Sequence, residues 1–407
     1  MVFLLDGLLL TGHTAAVQNA FNQIQPSQYK ELGQISFLNN EVVNRTVGTQ
    51  QQNLRESLWV NKELEAYAGS ATLSPQRVAS FHHLAKSAKG FKSSSILQTQ
   101  SQPRHRLGML ALPGAERIGM PANNWIKLGR SSVWVQSYGQ IERTKGNHGN
   151  AGIRSETGGI SLGGDHEVLE NTYLGFLGGM STTPFHWQQS RGSGRVKSYY
   201  GGIYGTWLSQ TGFYADGQLI AGGDNYNSHR NIVYPGVNRK ARQSHNGGQF
   251  STDLQAGYVW SLKHLTVQPY ADATYMFVNE SGFREKGAQS LDFKIKGRMS
   301  QFFRGEIGAQ VYKTYVLCDA LIRPALQLSW VHKRSMGSNS AKVQGGLVGQ
   351  AQSLSVAGDN RTRNQVAPGL ALTVQFAKGL YIIGNVSSQF GGGQKLGDAL
   401  IRVGYDF

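Results

Sequence analysis

The sequence predicts an all-β chain whose main body is a 12-stranded antiparallel transmembrane β-barrel, preceded by an N-terminal helical and linker segment that the lumen could hold. Three observations predict it. From Ser131 to the last residue, apolar and polar side chains alternate with a period of two, which suits strands and not helices. The connections between these runs alternate between tight and long, the pattern of short turns at one rim of a membrane barrel and long loops at the other. The composition is also rich in glycine and poor in charge, with 52 glycines in 407 residues and only 16% charged residues, against about 25% charged in soluble domains.

The elements follow in chain order. Residues 1–56 read as a helical segment before the barrel. Ala16, Val17, Ala20, Phe21 and Ile24 recur at helix spacing from His13. Pro26-Ser27 breaks and restarts the pattern, and Tyr29, Leu32, Ile35, Leu38, Val42 and Val43 continue it toward Glu56. Residues 57–130 are rich in Ser, Gln, Lys and Ala and read as a polar, basic linker with short helical pieces at best, and whether the luminal helix falls here or in 1–56 stays open. Pro113-Gly114 and Pro121 break what periodicity remains.

Residues 131–407 carry the barrel. Strands are expected at 131–141, 157–166, 171–181, 196–209, 212–224, 250–261, 264–278, 300–313, 317–333, 364–377, 379–390 and 396–407, with 290–297 left as loop. The segment from Leu265 to Phe277 sets Val267, Pro269, Ala271, Ala273 and Tyr275 on one face and Gln268, Tyr270, Asp272 and Thr274 on the other. The stretches near 142–156, 225–249, 279–299 and 334–363 read as long polar loops. A soluble β-sandwich predicts strands nearer about five or six residues and gives no reason for short and long connections to alternate. Trp134, Tyr138, Tyr199, Tyr200, Tyr204, Trp207, Tyr258, Trp260, Tyr275, Phe277 and Trp330 crowd the strand ends and read as interfacial girdles.

No apolar run is long enough for a transmembrane helix, and a mean hydropathy of −0.35 suits a barrel whose alternate residues face a wet lumen. The opening MVFLLDGLLL lacks a basic n-region and a small-residue cleavage site, so a secretory signal is expected outside the given chain. The single cysteine, Cys318, excludes a disulfide framework and a cysteine-based zinc cluster. No GxSxG, HExxH or P-loop pattern occurs, His82-His83 reads as a solvated pair, and neither metal nor cofactor is expected. Net charge is 40 − 24 = +16. That charge is thinly spread and lacks a recognition motif, so nucleic acid is not expected as a partner. The basic residues near the rims (Arg143, Lys145, Arg191, Arg195, Lys197, Arg230, Arg239, Lys240 and Arg242) are instead expected at anionic lipid headgroups, including lipopolysaccharide. The lumen face is expected to carry Asp216, Gln218, Asp253, Gln255, Gln268, Asp272, Arg304, Glu306, Gln310, Arg323, Gln327 and Arg402.

The last strand is the sharpest signal. Ala399, Ile401, Val403, Tyr405 and Phe407 form one apolar face, and the chain stops on the aromatic ring. Such an ending resembles the signal by which outer-membrane barrels engage the barrel-assembly machinery, through capture of an unpaired strand. Further motifs stand in order: SSVWVQSYGQ, TGGISLGGDHEV, TYLGFLGGMS, SYYGGIYGTWL, FYADGQLIAG, LQAGYVW, LTVQPYADATY and LIRPALQLSWVHK. Together they resemble the β-domain of autotransporters (type V secretion), over about 131–407, and FNQIQPSQYKELGQISFLNN resembles the helical stretch that precedes that domain. One departure is Lys333, where the family often carries an acid after Trp-x-His.

The resemblance implies a monomeric barrel in the outer membrane of a Gram-negative bacterium, assembled with periplasmic chaperones and the barrel-assembly machinery. It also implies that the chain upstream threads the lumen and leads to a passenger on the same polypeptide. Only about a dozen residues precede the helical stretch here, too few for a domain, so the chain is expected to be a piece of a longer protein or a remnant. Two other readings stay open, a channel plugged by its N-terminal segment and an adhesin barrel with binding loops. Some autotransporters release their passengers by cleaving an Asn-Asn bond inside the barrel, and Asn39-Asn40 is the candidate bond here, with Glu306 or Asp253 as the orienting acid.

Overall fold

The computed structural model describes residues 23, 25–71, 115–118, 130–146, 152–262, 265–317, 320–336, 342–350, 354–356 and 362–407. Twelve antiparallel strands close into a barrel. In chain order they are β1 Ser131–Thr144, β2 Ile153–Leu169, β3 Thr172–Trp187, β4 Gly192–Leu208, β5 Phe213–Tyr234, β6 Val237–Tyr258, β7 Thr266–Glu280, β8 Arg298–Tyr312, β9 Ala320–Met336, β10 Arg363–Phe376, β11 Leu380–Gly391 and β12 Gln394–Asp406. Each pairs with its neighbour, and β12 returns to β1 with Arg402 opposite Gln136 and Tyr405 opposite Val133. Ser131 and Phe407 exchange backbone hydrogen bonds at 2.9 and 3.1 Å, so the seam is bonded to its last residue. Closure leaves the twelve barrel strands without a free edge, which a lipid environment demands.

The period-two pattern places the side chains. Ile160, Leu162, Leu174, Phe176, Ile203, Leu254, Ile307, Leu326, Leu328 and Ile401 point outward and are exposed. So continuous an apolar outer surface is not tolerated by a monomer in water, and lipid is the solvent that matches it. The inner face carries the polar partners and meets a helix, α1 (Lys30–Ala71), which enters through a 3₁₀ turn at Pro26–Tyr29. From Lys30 to Val60 every residue is buried except Arg45, Gly48, Gln52 and Trp59, which are half-buried. That stretch measures about 46 Å at about 1.5 Å per residue, longer than a hydrocarbon core of about 30 Å. α1 is polar on every side and no described helix is apolar enough to cross a membrane. Its burial comes from enclosure by the strands.

Three expectations need correction. The helix does not stop near Glu56. It runs on to Ala71, because Leu58 and Val60 still find buried contacts and KELEAYA is built from helix-favouring residues. The expected helix start at His13, and the His82-His83 pair, lie outside the described residues. The segment 225–249 is not a loop. β5 and β6 continue as one long hairpin closed by Pro235-Gly236, with Gly236 at φ 78°. Past the lipid the outward face no longer needs apolar side chains, so the hydrophobic alternation fades although the pairing does not. Finally, Phe293–Ile295, within the expected loop, joins Phe283–Arg284, Val343–Leu347 and Leu354–Val356 in a small four-stranded sheet at the long-loop rim. A short strand at Ala115–Ile118 pairs in parallel with Thr314–Leu317.

Candidate functional site

The lumen is the candidate site, and α1 fills it. Direction follows from the two ends. Near the start of α1, the Tyr29 carbonyl accepts from Arg298 Nη2 at 2.6 Å, and the Tyr29 ring packs edge-on against Trp187 and Phe283, all at the long-loop rim. Near residue 60, Trp59 Nε1 donates to Ser261 Oγ at 2.7 Å, and the Trp59 ring abuts Gly212 at the short-turn rim. The barrel's own ends, Ser131 and Phe407, lie at that second rim. The upstream end of α1 therefore lies at the long-loop rim, opposite the rim where the barrel begins and ends.

Four buried arginines and a lysine tie wall to helix. Arg402 donates to Gln136 Oε1 at 2.8 Å, to Gln50 Oε1 at 2.6 Å and to the Thr46 carbonyl, and its guanidinium lies 4.2 Å over the Trp134 ring. Arg55, from the helix, pairs with Asp216 and stacks 4.1 Å from the Tyr214 centroid. Arg323 reaches Glu56 at 3.3 Å and donates to Ser57 Oγ at 3.3 Å and Gln375 Oε1 at 3.2 Å. Arg304 spans Glu41 at 3.2 Å, Asp272 at 2.9 Å and Glu306. Lys333 donates to Glu41 Oε2 at 2.6 Å, so the residue that departs from the family pattern is held by a carboxylate on the helix. Gln50 also donates to Asp165 at 2.9 Å, and Gln51 to the carbonyls of Gly205 and Gly217 at 2.7 and 3.1 Å. Desolvated charges with partners on both sides fix one register of α1.

Of the twelve residues assigned to the lumen from sequence, Asp216, Gln218, Asp253, Gln268, Arg304, Glu306, Gln310, Arg323 and Arg402 are buried inside. Gln255, Asp272 and Gln327 are half-buried along the same wall, beside a gap left by Gly48. Asp253 accepts from Gln218 at 3.0 Å and Thr274 at 2.6 Å, and Gln255 donates to Tyr214 at 3.4 Å. Ile401, Val403, Tyr405 and Phe407 all point outward and are exposed. Asn39 and Asn40 lie mid-helix. Asn39 Oδ1 accepts from Thr157 at 3.0 Å and Thr183 at 2.9 Å, and Asn40 accepts from Asn44 at 3.1 Å. Among the described residues neither Glu306 nor Asp253 hydrogen-bonds Asn39; Asn39 Nδ2 instead donates to Ser198 Oγ at 3.5 Å, and Ser198 donates to Asp224 at 2.5 Å.

Two groups of assignments are corrected. Trp134, Tyr138, Tyr200 and Tyr204 are not girdle residues. They share parity with the lumen face, are buried, and pack over neighbouring-strand glycines toward α1, whereas Tyr199, Trp207, Tyr258, Trp260, Phe277 and Trp330 do face outward. Of the basic rim residues, Arg191 and Arg230 are buried and do not reach lipid. Arg230 holds Glu285 at 2.6 and 3.0 Å and the carbonyls of Gln23 and Leu291 at 2.7 and 2.9 Å. The residues missed from sequence are Glu41, Arg45, Gln50, Gln51 and Arg55, whose inward register depends on how a helix polar on all sides rotates in the lumen.

Residues 133–387 match the family model of the autotransporter β-domain. The chain is similar to the translocator domain of autotransporter NalP from Neisseria meningitidis, with a TM-score of 0.56 at 16% identity, covering 69% of this chain and 90% of that one. It is also similar to the β-domain of the Bordetella autotransporter BrkA, with a TM-score of 0.54 at 16% identity, covering 69% and 100%. Among curated proteins it is 23% identical to outer membrane protein B of Rickettsia typhi over 305 residues, covering 72% of this chain but 18% of that protein. The chain spans 57% or less of the length of the first curated relatives it matches.

Proposed function

The chain belongs to the autotransporter β-domain family, and from that premise we propose that it is a translocator that exports, or anchors at the cell surface, polypeptide lying upstream of α1. It resides in the outer membrane. The observation that carries the reading is the direction of α1, which delivers the upstream chain to the long-loop rim. Residues 1–56 then serve as the pre-barrel segment, 57–130 as the linker, of which the part to Ala71 continues α1, and 131–407 as the barrel. The outward row Ile401, Val403, Tyr405 and Phe407 serves as the assembly signal, read by the barrel-assembly machinery before β12 closes onto β1. The test is an epitope at residue 1 of the chain, expressed behind a signal peptide. Protease added to intact cells removes the epitope and leaves a heat-modifiable barrel. A protected epitope on the same barrel would instead favour a plugged channel.

A second reading attaches to Asn39-Asn40. Asn39 Nδ2 lies 3.5 Å from Ser198 Oγ, and Ser198 hydrogen-bonds Asp224, so a proton path leads from that amide to a carboxylate. Attack of Nδ2 on the Asn39 carbonyl carbon closes a succinimide, breaks the Asn39–Asn40 bond and leaves Asn40 with a free amine that takes up the proton. The helical hydrogen bonds at Asn39 must open first. Asn39→Gln blocks the five-membered closure, so unchanged processing in that variant rejects the reading.

A further inference from the structure

The outer face of the barrel carries a cationic row that the translocation reading does not use. His186 on β3 lies opposite Ser193 on β4, Ser193 opposite His229 on β5, His229 opposite Arg242 on β6, and Arg242 bridges to Lys286. With strands about 4.8 Å apart, these four steps span about 19 Å. Arg195 sits one outward position closer to the membrane, opposite Asn227, and Lys197 one further, opposite Asn225. These residues, with Arg284, line or border an open cleft of about 920 Å³. No carboxylate forms an ion pair with any of them among the described residues.

The position of the row is informative. Following the outward positions of β4 down from Lys197 gives Tyr199, which is 59% exposed, and then Ile203. The cations thus stand directly above the apolar band at the long-loop rim, the outer-leaflet side. Like charges directly opposite one another on a sheet are destabilising, yet Arg242 and Lys286 are bridged directly in one row. Burial, followed by Lys240, Arg242 and His186, pushes the His229 imidazole below its usual range. An unliganded row therefore costs energy that a polyanion would recover. Ser193 and Ser244 place neutral hydroxyls between the charges.

We propose that this row binds the phosphate groups of a phosphorylated glycolipid in the outer leaflet, with Arg195, Arg242 and Lys286 as the principal contacts. The site is on the lipid-facing wall, which sets it apart from the salt-bridged lumen. The inference rests on the outer-membrane placement of the barrel and not on the direction of export. A soluble anion has no reason to prefer a cleft whose lower edge is Tyr199 and lipid, whereas a headgroup anchored by acyl chains is delivered to that height.

The test uses the full chain, produced in bacterial outer membranes behind a signal peptide and purified in mild detergent. Co-purifying lipid A is quantified by mass spectrometry. The variant Arg195→Gln/Arg242→Gln/Lys286→Gln should retain at least about tenfold less lipid A than the parent, while Lys378→Gln, which removes an exposed cation at the short-turn rim, should retain the parental amount. Equal retention by the triple variant, or an equal loss in the Lys378 control, overturns the site. In nanodiscs, dephosphorylated lipid A should bind no better to the parent than to the triple variant. Displacement of lipid A by millimolar inorganic phosphate alone overturns the assignment to a lipid. Heat-modifiable migration is scored for every variant, and Arg242→Gln alone, expected to show a smaller loss in the same direction, replaces the triple variant if the latter does not fold. Failure of the parent chain to migrate as a heat-modifiable barrel would contradict the membrane reading and not this site in particular.

Discussion

At the scale of single residues, the lumen is organised by charges that only make sense in pairs across the helix–wall boundary. Lys333 has Glu41 as its ion-pair partner at 2.6 Å, and Arg304 shares the same carboxylate. Removing one member of a buried pair leaves the other uncompensated at about 3–5 kcal/mol. Glu41→Gln should therefore lower the urea midpoint of the heat-modifiable form, and Glu41→Gln/Lys333→Gln should recover more than half of the loss. A double variant as unstable as the single would show that the two residues do not interact. The inward rings make a second residue-scale point. A Cβ on Gly404 would stand 2.1 Å from the Tyr381 ring, so the ring lies directly on the bare backbone of the adjacent strand. Gly404→Ala should destabilise by about 1–3 kcal/mol through overpacking, and Gly404→Ala/Tyr381→Leu should reverse part of it. Parity in the sequence was enough to turn Arg304, Glu306, Arg323 and Arg402 inward. The same parity turns Trp134, Tyr138, Tyr200 and Tyr204 inward, although an aromatic ring near a strand end resembles a girdle residue by type.

Elements tell a similar story. The strands were legible because lipid enforces a strict alternation, and every one of the twelve was found near its place. What blurred was their outer ends. Above the membrane Tyr226, Ser228, Arg230 and Ile232 still point inward while Asn225, Asn227 and His229 point outward, but polar residues now occupy both faces and the period disappears from hydropathy. The hairpin tip should matter little for insertion. Replacing Asn231–Lys240 with Asn-Gly keeps Arg230 opposite Ala241 and offers a favoured two-residue turn. That chain should reach the outer membrane at parental levels and migrate as a heat-modifiable barrel; loss of insertion would mean that the tip participates in assembly. The extent of α1 was not legible for a different reason. An isolated polar helix is marginal, and what holds α1 as far as Val60 is burial inside the tube around it.

For the whole molecule, a closed wall and an internal helix together define a direction. The wall provides a polar passage through an apolar belt, and α1 occupies it with its upstream end at the long-loop rim and its downstream end beside Ser131 and Phe407. Sequence alone could name the barrel and the segment before it, but not the orientation of that segment, which depends on contacts such as Arg298 with Tyr29 and Trp59 with Ser261 that lie more than 200 positions apart. The central claim is that orientation in the cell. The measurement that tests it most directly is labelling of single cysteines on intact cells with a membrane-impermeant maleimide, in a Cys318→Ser background. Gln25, Pro235 and Lys378 are all exposed, and mark the upstream end of α1, the hairpin tip and a short turn. Gln25→Cys and Pro235→Cys should label on intact cells, and Lys378→Cys only after the outer membrane is permeabilised. Gln25→Cys labelling together with Lys378→Cys, after permeabilisation alone, would place the upstream chain in the periplasm and contradict the account.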